Sequence, residues 1–177
     1  MTNASFANLA VLVVDDNKDM RGLLEGIVRE FGVRSIESAR DGASALSAMV
    51  AKPVGLVLCD IQMRPMDGLE FVKTVRRGHL GIERSVPIIL LTAHSEIYRV
   101  KEAGMVGADE FVTKPVSAAT LHDRMLSVIT KPLSSLVAAR QENAARIDGS
   151  DHTAAAGSHA GDGGHGGDDG HAAAERA

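Results

Sequence analysis

"VLVVDD" at residues 11–16 sets four apolar residues directly against two adjacent carboxylates, Asp15 and Asp16. Two unit charges ~4 Å apart at an effective dielectric of about 20 interact by about 4 kcal/mol. Folding free energies are only about 5–15 kcal/mol. A chain that closes a buried strand this way needs solvent, a cation or a bound metal to offset the repulsion. The continuous run "LAVLVVD" (9–15) reads as a strand covered on both faces, as in a parallel sheet.

The same apolar runs recur along the chain, separated by amphipathic stretches. "NKDMRGLLEGIVREFG" (17–32) places Met20, Leu23, Leu24, Ile27, Val28 and Phe31 at helical spacing, with Gly32 as its stop. "RSIESAR" (34–40) alternates as a half-exposed strand, and "GASALSAMVA" (42–51) is a helix ended by Pro53. "VGLVLCD" (54–60) and "VPIILLTA" (86–93) are buried strands, and "DEFVTKP" (109–115) is a short one. Helices are expected over 68–78, 95–107 and 117–130. Asp67-Gly68 reads as a turn and helix start. Ser117 reads as a cap, and Leu121, Met125, Leu126 and Ile129 as inward positions. Five strand–helix units predict an α/β fold, a parallel sheet with helices on both faces. Right-handed crossovers bring all the strand carboxyl ends to one edge, where ligands bind in open sheets.

Composition narrows the function classes. The 177 residues are 45% apolar, and their net charge is −4. Residues 1–147 carry 18 basic and 17 acidic side chains, and residues 148–177 carry one basic and six acidic. A near-neutral body with an acidic tail is poorly suited to duplex DNA, whose binding rests on neutralising phosphates. No apolar run approaches the ~20 residues that span a bilayer. The start lacks a secretory layout, and the lone Cys59 excludes an internal disulfide, so a cytoplasmic protein is expected. Residues 148–177, rich in Gly, Ala, His and Asp, hold no Leu, Ile, Val, Met or aromatic residue. They are expected to be disordered. His152, His159, His165 and His171 in that stretch read as part of a solubilising tail. Residues 131–147 are expected to extend the last helix or to form another after Pro132.

The expected strand ends are Asp15-Asp16, Asp60, Thr92 and Lys114-Pro115. One edge would then hold three carboxylates, a hydroxyl and an ammonium. Hard divalent cations such as Mg²⁺ take carboxylate oxygens, and an aspartate can attack phosphorus. "VVDD", "LCDIQMRPMDGLEF", "PIILLTA" and "ADEFVTKP", in this order and spacing over residues 8–130, resemble the response-regulator receiver family of two-component signalling.

That resemblance implies a flavodoxin-like five-stranded sheet in order 2-1-3-4-5, an order that the general rule for this fold already illustrates with a chemotaxis member of this family. It implies Asp60 as phosphoacceptor from a histidine kinase or phosphotransfer protein, with Asp15, Asp16, Asp60 and the Gln62 backbone carbonyl holding Mg²⁺. Lys114 would pair with Asp60 and then with the phosphoryl oxygens. Thr92 would donate to the phosphoryl group, Phe111 would be the switch aromatic, and Lys114-Pro115 would be cis. His94, two residues after Thr92, lies where the family tunes dephosphorylation. The chain would be a phosphoacceptor that assists its own phosphorylation and dephosphorylation rather than a turnover enzyme. Gln62, where phosphohydrolases of similar fold need a second acid, argues against that class. With only some 45 residues after the receiver, the resemblance implies a single-domain regulator acting by protein contact, with a homodimer among its outputs. The alternative is a scaffold or phosphate sink in a phosphorelay. The expected downstream face is the helix over 95–107, the fifth strand and the last helix, including Tyr98, Glu110 and His122. One departure stands out: the family commonly has proline four residues after the acceptor, but here Arg64 occupies that position and the proline is Pro65.

Truncation after Ile147 is expected to leave the thermal unfolding midpoint unchanged, because the removed residues offer nothing larger than alanine to bury. A drop of several degrees in a calorimetric scan would show that this segment docks.

Overall fold

The computed structural model describes residues 6–93, 106–132, 134–138 and 140. Five parallel strands, β1 (Ala10–Val14), β2 (Ser35–Ala39), β3 (Leu56–Asp60), β4 (Ile88–Ala93) and β5 (Glu110–Lys114), form one sheet in the order β2-β1-β3-β4-β5. Four helices accompany them: α1 (Lys18–Glu30), α2 (Gly42–Ala51), α3 (Gly68–Arg76) and α4 (Ala118–Thr130). The helix expected over 95–107, with Tyr98 and His94, lies outside the described residues except for 106 and 107.

The apolar run of β1 explains the two-sided burial. Successive strand residues point to opposite faces, so Leu12 and Val14 join one core and Val11 and Val13 the other. The first core packs α2 and α3, with Phe71 fully buried at its centre. The second packs α1 and α4 through Leu24, Val28, Leu121, Met125 and Val128. On α4, Leu121 and Met125 are buried as expected, whereas Leu126 and Ile129 are half-buried and Val128 takes the inner place.

Side-chain caps fix where the helices begin. Asn17 accepts from the Asp19 and Met20 amides, Asp41 from Ser44, Asp67 from Glu70 and Ser117 from Thr120. Each satisfies an amide that has no partner within its helix. Helix α1 stops where Gly32 takes φ +92°, and the Gly32 and Val33 amides donate back to Arg29 and Val28. Gly68 is obligatory for a different reason: a Cβ there would lie 2.2 Å from the Asp60 carbonyl oxygen. The start of α3 is thereby pressed against the end of β3.

At the opposite edge of the sheet a buried ion cluster ties distant segments together. Asp109, just before β5, has a side chain only 1% exposed. Its Oδ2 accepts from Arg76 Nη2 at 2.9 Å and from the Ile88 amide at 2.8 Å, and its Oδ1 accepts from Arg140 Nε at 2.8 Å. Arg76 also donates to the carbonyls of Gly107, Arg84 and Val86, and Arg140 to that of Ser85. Burial pulls the Arg76 guanidinium down to about 10, with Asp109 opposing the fall. Val86, expected within a strand, instead spends its carbonyl on Arg76, and β4 begins two residues later. Residues 134–138 are helical and Leu136 is buried, and Arg140 ties this strap to Asp109 and Ser85 beside the amino ends of β5 and β4.

Asp109→Ala would leave two buried guanidiniums without their carboxylate. It should cost about 3–5 kcal/mol in urea denaturation. Arg140→Ala, which leaves Asp109 paired with Arg76, should cost clearly less. Equal losses would show that the strap carries as much of the cluster as Asp109 itself.

Candidate functional site

The carboxyl edge of the sheet gathers the strand ends. Asp15 follows β1 directly, Asp60 ends β3 and Lys114 ends β5. The register sets Asp60 beside Leu91 and Ala93 beside Lys114, so β3, β4 and β5 finish within a residue or two of one another. Between the loops that follow lies a cleft of ≈ 700 Å³, lined by Asp15, Asp16, Asn17, Asp60, Gln62, Met63, Arg64, Asp67, Ala93 and Lys114. Asp15, Asp16, Asp60, Gln62 and Lys114, all expected at one site, are thus brought together.

The opening repulsion is met largely within the chain. Lys114 Nζ lies 2.9 Å from Asp15 Oδ2 and 2.8 Å from Asp60 Oδ1, bridging the two buried carboxylates. The other oxygen of Asp15 accepts from the Asn17 amide at 2.8 Å. Arg21, one turn into α1, donates to the Asp15 carbonyl at 2.7 Å and holds the acidic loop in place. Asp16 is exposed to solvent. Asp15 is therefore paired within the chain itself. Lys114, expected to pair with Asp60, pairs with Asp15 as well.

Burial holds the Asp60 carboxyl above its ordinary 3.8; the hydrogen bond and charge of Lys114 pull it down, and Asp15 and Asp16 add to the rise. For Lys114, burial disfavours the ammonium, but the hydrogen bonds it donates to Asp60 and Asp15 and their charges outweigh it. Its pKa is held above 10.5. Ligand oxygens of Asp15, Asp16 and Asp60 lie within 4.8 Å of one another. Three convergent carboxylates are a hard-oxygen donor set of the kind that suits Mg²⁺.

Thr92 and Phe111 are placed differently. Thr92 is buried at the end of β4, where its hydroxyl donates to the Ala93 carbonyl at 3.2 Å, and it does not line the cleft. Phe111 is half-buried in β5 opposite Leu90 and packs on the core beneath α2 and α3. Glu110 is tied to Arg124, Ser127 and Lys131. His122, expected on the same face as Glu110, packs its ring edge-on against Phe6 at 5.5 Å and Phe31 at 5.1 Å. It faces α1 and the amino-terminal turn, because its position on α4 points toward that helix rather than toward β5. Lys114-Pro115 is cis as expected, and Arg64-Pro65 is cis as well.

Sequence reading missed Asn17 and Arg21. Asn17 could have been recognised as a cap from its place before the amphipathic run. Arg21 carried no signal, because its contact is to backbone oxygens.

The raised Asp60 value means the folded chain binds that proton more tightly than the unfolded chain. Its ionisation penalty is absent below 3.8 and fully present above the folded value. Without divalent cation, Asp60→Asn should therefore unfold at a higher temperature than the parent near neutral pH, with the gap narrowing as pH falls toward 3.8. The stabilisation from Lys114 has the opposite window. It persists at neutral pH and is lost as pH climbs above 10.5 through the folded value. Thermal melts across pH check both limbs, and a gap independent of pH would contradict the buried-charge account.

Comparison with known proteins agrees with this geometry. The response regulator receiver domain family matches residues 11–126. The chemotaxis protein CheY-3 of Vibrio cholerae is 28% identical over 118 residues, covering 67% of this chain and 89% of that protein. The nitrogen assimilation regulatory protein NtrX of Azorhizobium caulinodans is 32% identical over 128 residues, 71% of this chain but 26% of NtrX. Among solved structures, the chemotaxis response regulator CheY4 of Vibrio cholerae is similar with a TM-score of 0.62 at 30% identity, covering 68% of this chain and 98% of CheY4. The receiver domain of NtrX from Brucella abortus gives 0.63 at 29% identity, covering 69% of this chain and 99% of that domain. With the sheet order, the acidic cleft and a family match over most of the described residues in agreement, the chain belongs to the response regulator receiver domain family.

Proposed function

We propose that this chain accepts a phosphoryl group on Asp60 from the phosphohistidine of a histidine kinase or phosphotransfer protein, and that the modification changes its protein contacts. The observation that carries this reading is the Lys114 bridge: it presents a buried carboxylate at a cleft with one oxygen held by an ammonium at 2.8 Å. An Asp60 oxygen forms the new P–O bond as the P–N bond to imidazole breaks, and the leaving nitrogen keeps the electron pair. Lys114 then stays beside the phosphoryl oxygens. Asp15, Asp16, Asp60 and the Gln62 carbonyl would hold Mg²⁺, whose chemistry is to neutralise charge on phosphoryl oxygens. Thr92 is the hydroxyl nearest in sequence to the cleft-lining Ala93. Its turning toward the phosphoryl group, followed by Phe111, is the proposed switch, a population shift requiring a few kcal/mol of differential interaction. A hydrogen bond to a charged acceptor, about 1.5–3 kcal/mol, is of that size.

The receiver unit spans about residues 8–130, and the strap follows it. Its partners on this reading are a kinase or phosphotransfer protein and a downstream protein. Glu110, on the expected downstream face, is engaged in ion pairs that a partner would have to meet or displace. Incubation with acetyl phosphate and Mg²⁺ should give a hydroxylamine-labile label. Asp60→Asn should abolish it, whereas Thr92→Ala should keep it and blunt the amide shifts that beryllofluoride induces around β4 and β5. Undiminished labelling of Asp60→Asn would sink the acceptor assignment.

A further inference from the structure

Arg64 lines the cleft alongside Asp60, Asp16 and Lys114 and is exposed to solvent. The loop that carries it is firmly seated. Met63, its neighbour, is 4% exposed, and Met66 presses on the Gly42 position. The Gly68 amide donates to the Ile61 carbonyl at 3.0 Å, and Asp67 caps α3. Arg64 is thus held at a fixed place relative to Asp60. It also differs from the other guanidiniums near functional or structural carboxylates. Arg21, Arg76, Arg124 and Arg140 are all spent on hydrogen bonds or ion pairs. Arg64 has no hydrogen bond or ion pair among the described residues, and it lines the cleft with five donors to offer.

The charge balance of the cleft shows what those donors would meet. Four carboxylates line it, those of Asp15, Asp16, Asp60 and Asp67, against two cations, Lys114 and Arg64. Lys114 is already committed to two of the carboxylates. An arriving phosphoryl donor is itself an anion, and phosphorylation puts roughly one further negative charge on Asp60. Without Arg64, every uncommitted side-chain charge at the cleft would repel the donor. Guanidinium groups match phosphate oxygens in bidentate geometry, and an exposed cation steers anionic ligands at low ionic strength.

We infer that Arg64 is the phosphoanion-capturing residue of this site, contacting the donor's phosphoryl oxygens before transfer. The inference rests on the acceptor reading of Asp60, and the tests below separate the two.

The first test is the rate of labelling by acetyl phosphate with Mg²⁺. Arg64→Gln should slow it about three- to tenfold, the size expected for one exposed charge-assisted contact. Arg64→Lys should recover part of the rate. The parent's rate should fall with added salt more steeply than that of Arg64→Gln, since exposed charges are screened within about 10 Å at 0.1 M. The unfolding midpoint should not move, because Arg64 supports no other group. The second test needs no covalent chemistry. In the Asp60→Asn background with Mg²⁺, inorganic phosphate should shift the Arg64 side-chain Nε resonance, and adding Arg64→Gln should weaken phosphate binding by a similar factor. If the parent is never labelled but the phosphate difference holds, the acceptor reading falls and Arg64 remains an anion site. If Arg64→Gln matches the parent in labelling rate, salt dependence and phosphate affinity, the inference is wrong. It is equally wrong if only transfer from a protein donor slows, since Arg64 would then be contacting the partner's surface.

Discussion

A single ammonium sets the geometry of the carboxyl edge. Lys114 Nζ sits between Asp15 and Asp60 at 2.9 and 2.8 Å and joins the ends of β1, β3 and β5. Neither carboxylate could be buried alone, because a lone ionised group in a low-dielectric interior is strongly disfavoured. The bridge holds the two carboxylates close to one ammonium. It also leaves the edge short of positive charge, with four carboxylates lining the cleft against Lys114 and Arg64.

The scaffold around this bridge consists of devices that fix position rather than add affinity. Gly68 lets α3 start against the Asp60 carbonyl. Arg21 and Asn17 brace the acidic loop through backbone groups. The parallel register carries alignment from strand to strand, so residues separated by 99 positions in the chain meet in one hydrogen bond. Two cores, one on each face of the sheet, hold the strands in place.

The strands and the carboxylate cluster were legible in the sequence because they rest on local signals: continuous apolar runs, helical periodicity, and charged residues where those runs stop. The strand order followed from the family resemblance, not from those signals. Helix starts were legible for the same reason at Ser117 and Asp67. Strand limits were less so. "VPIILL" reads as strand from Val86, but its carbonyl is claimed by Arg76, a contact that no periodicity encodes. The Asp109 cluster was invisible for a related reason, since its members lie 31 and 33 residues from Asp109 and each reads alone as an ordinary surface charge. The misplaced face of His122 follows from α4 touching both β5 and α1, which leaves an intermediate position on the helix free to turn either way. That Lys114 would meet Asp15 as well as Asp60 required a distance.

Arg140 is pinned beside Asp109, at the amino end of β5, whereas Lys114 closes the carboxyl end of the same strand. Five residues of strand separate the two, roughly 16 Å, against a screening length of about 8 Å at physiological ionic strength. Arg140 and Lys114 therefore stand about two screening lengths apart. One short strand thus carries two ion clusters, one at each end, that are electrostatically independent: a change of charge at the acidic cleft leaves the Asp109 cluster unperturbed, and the reverse.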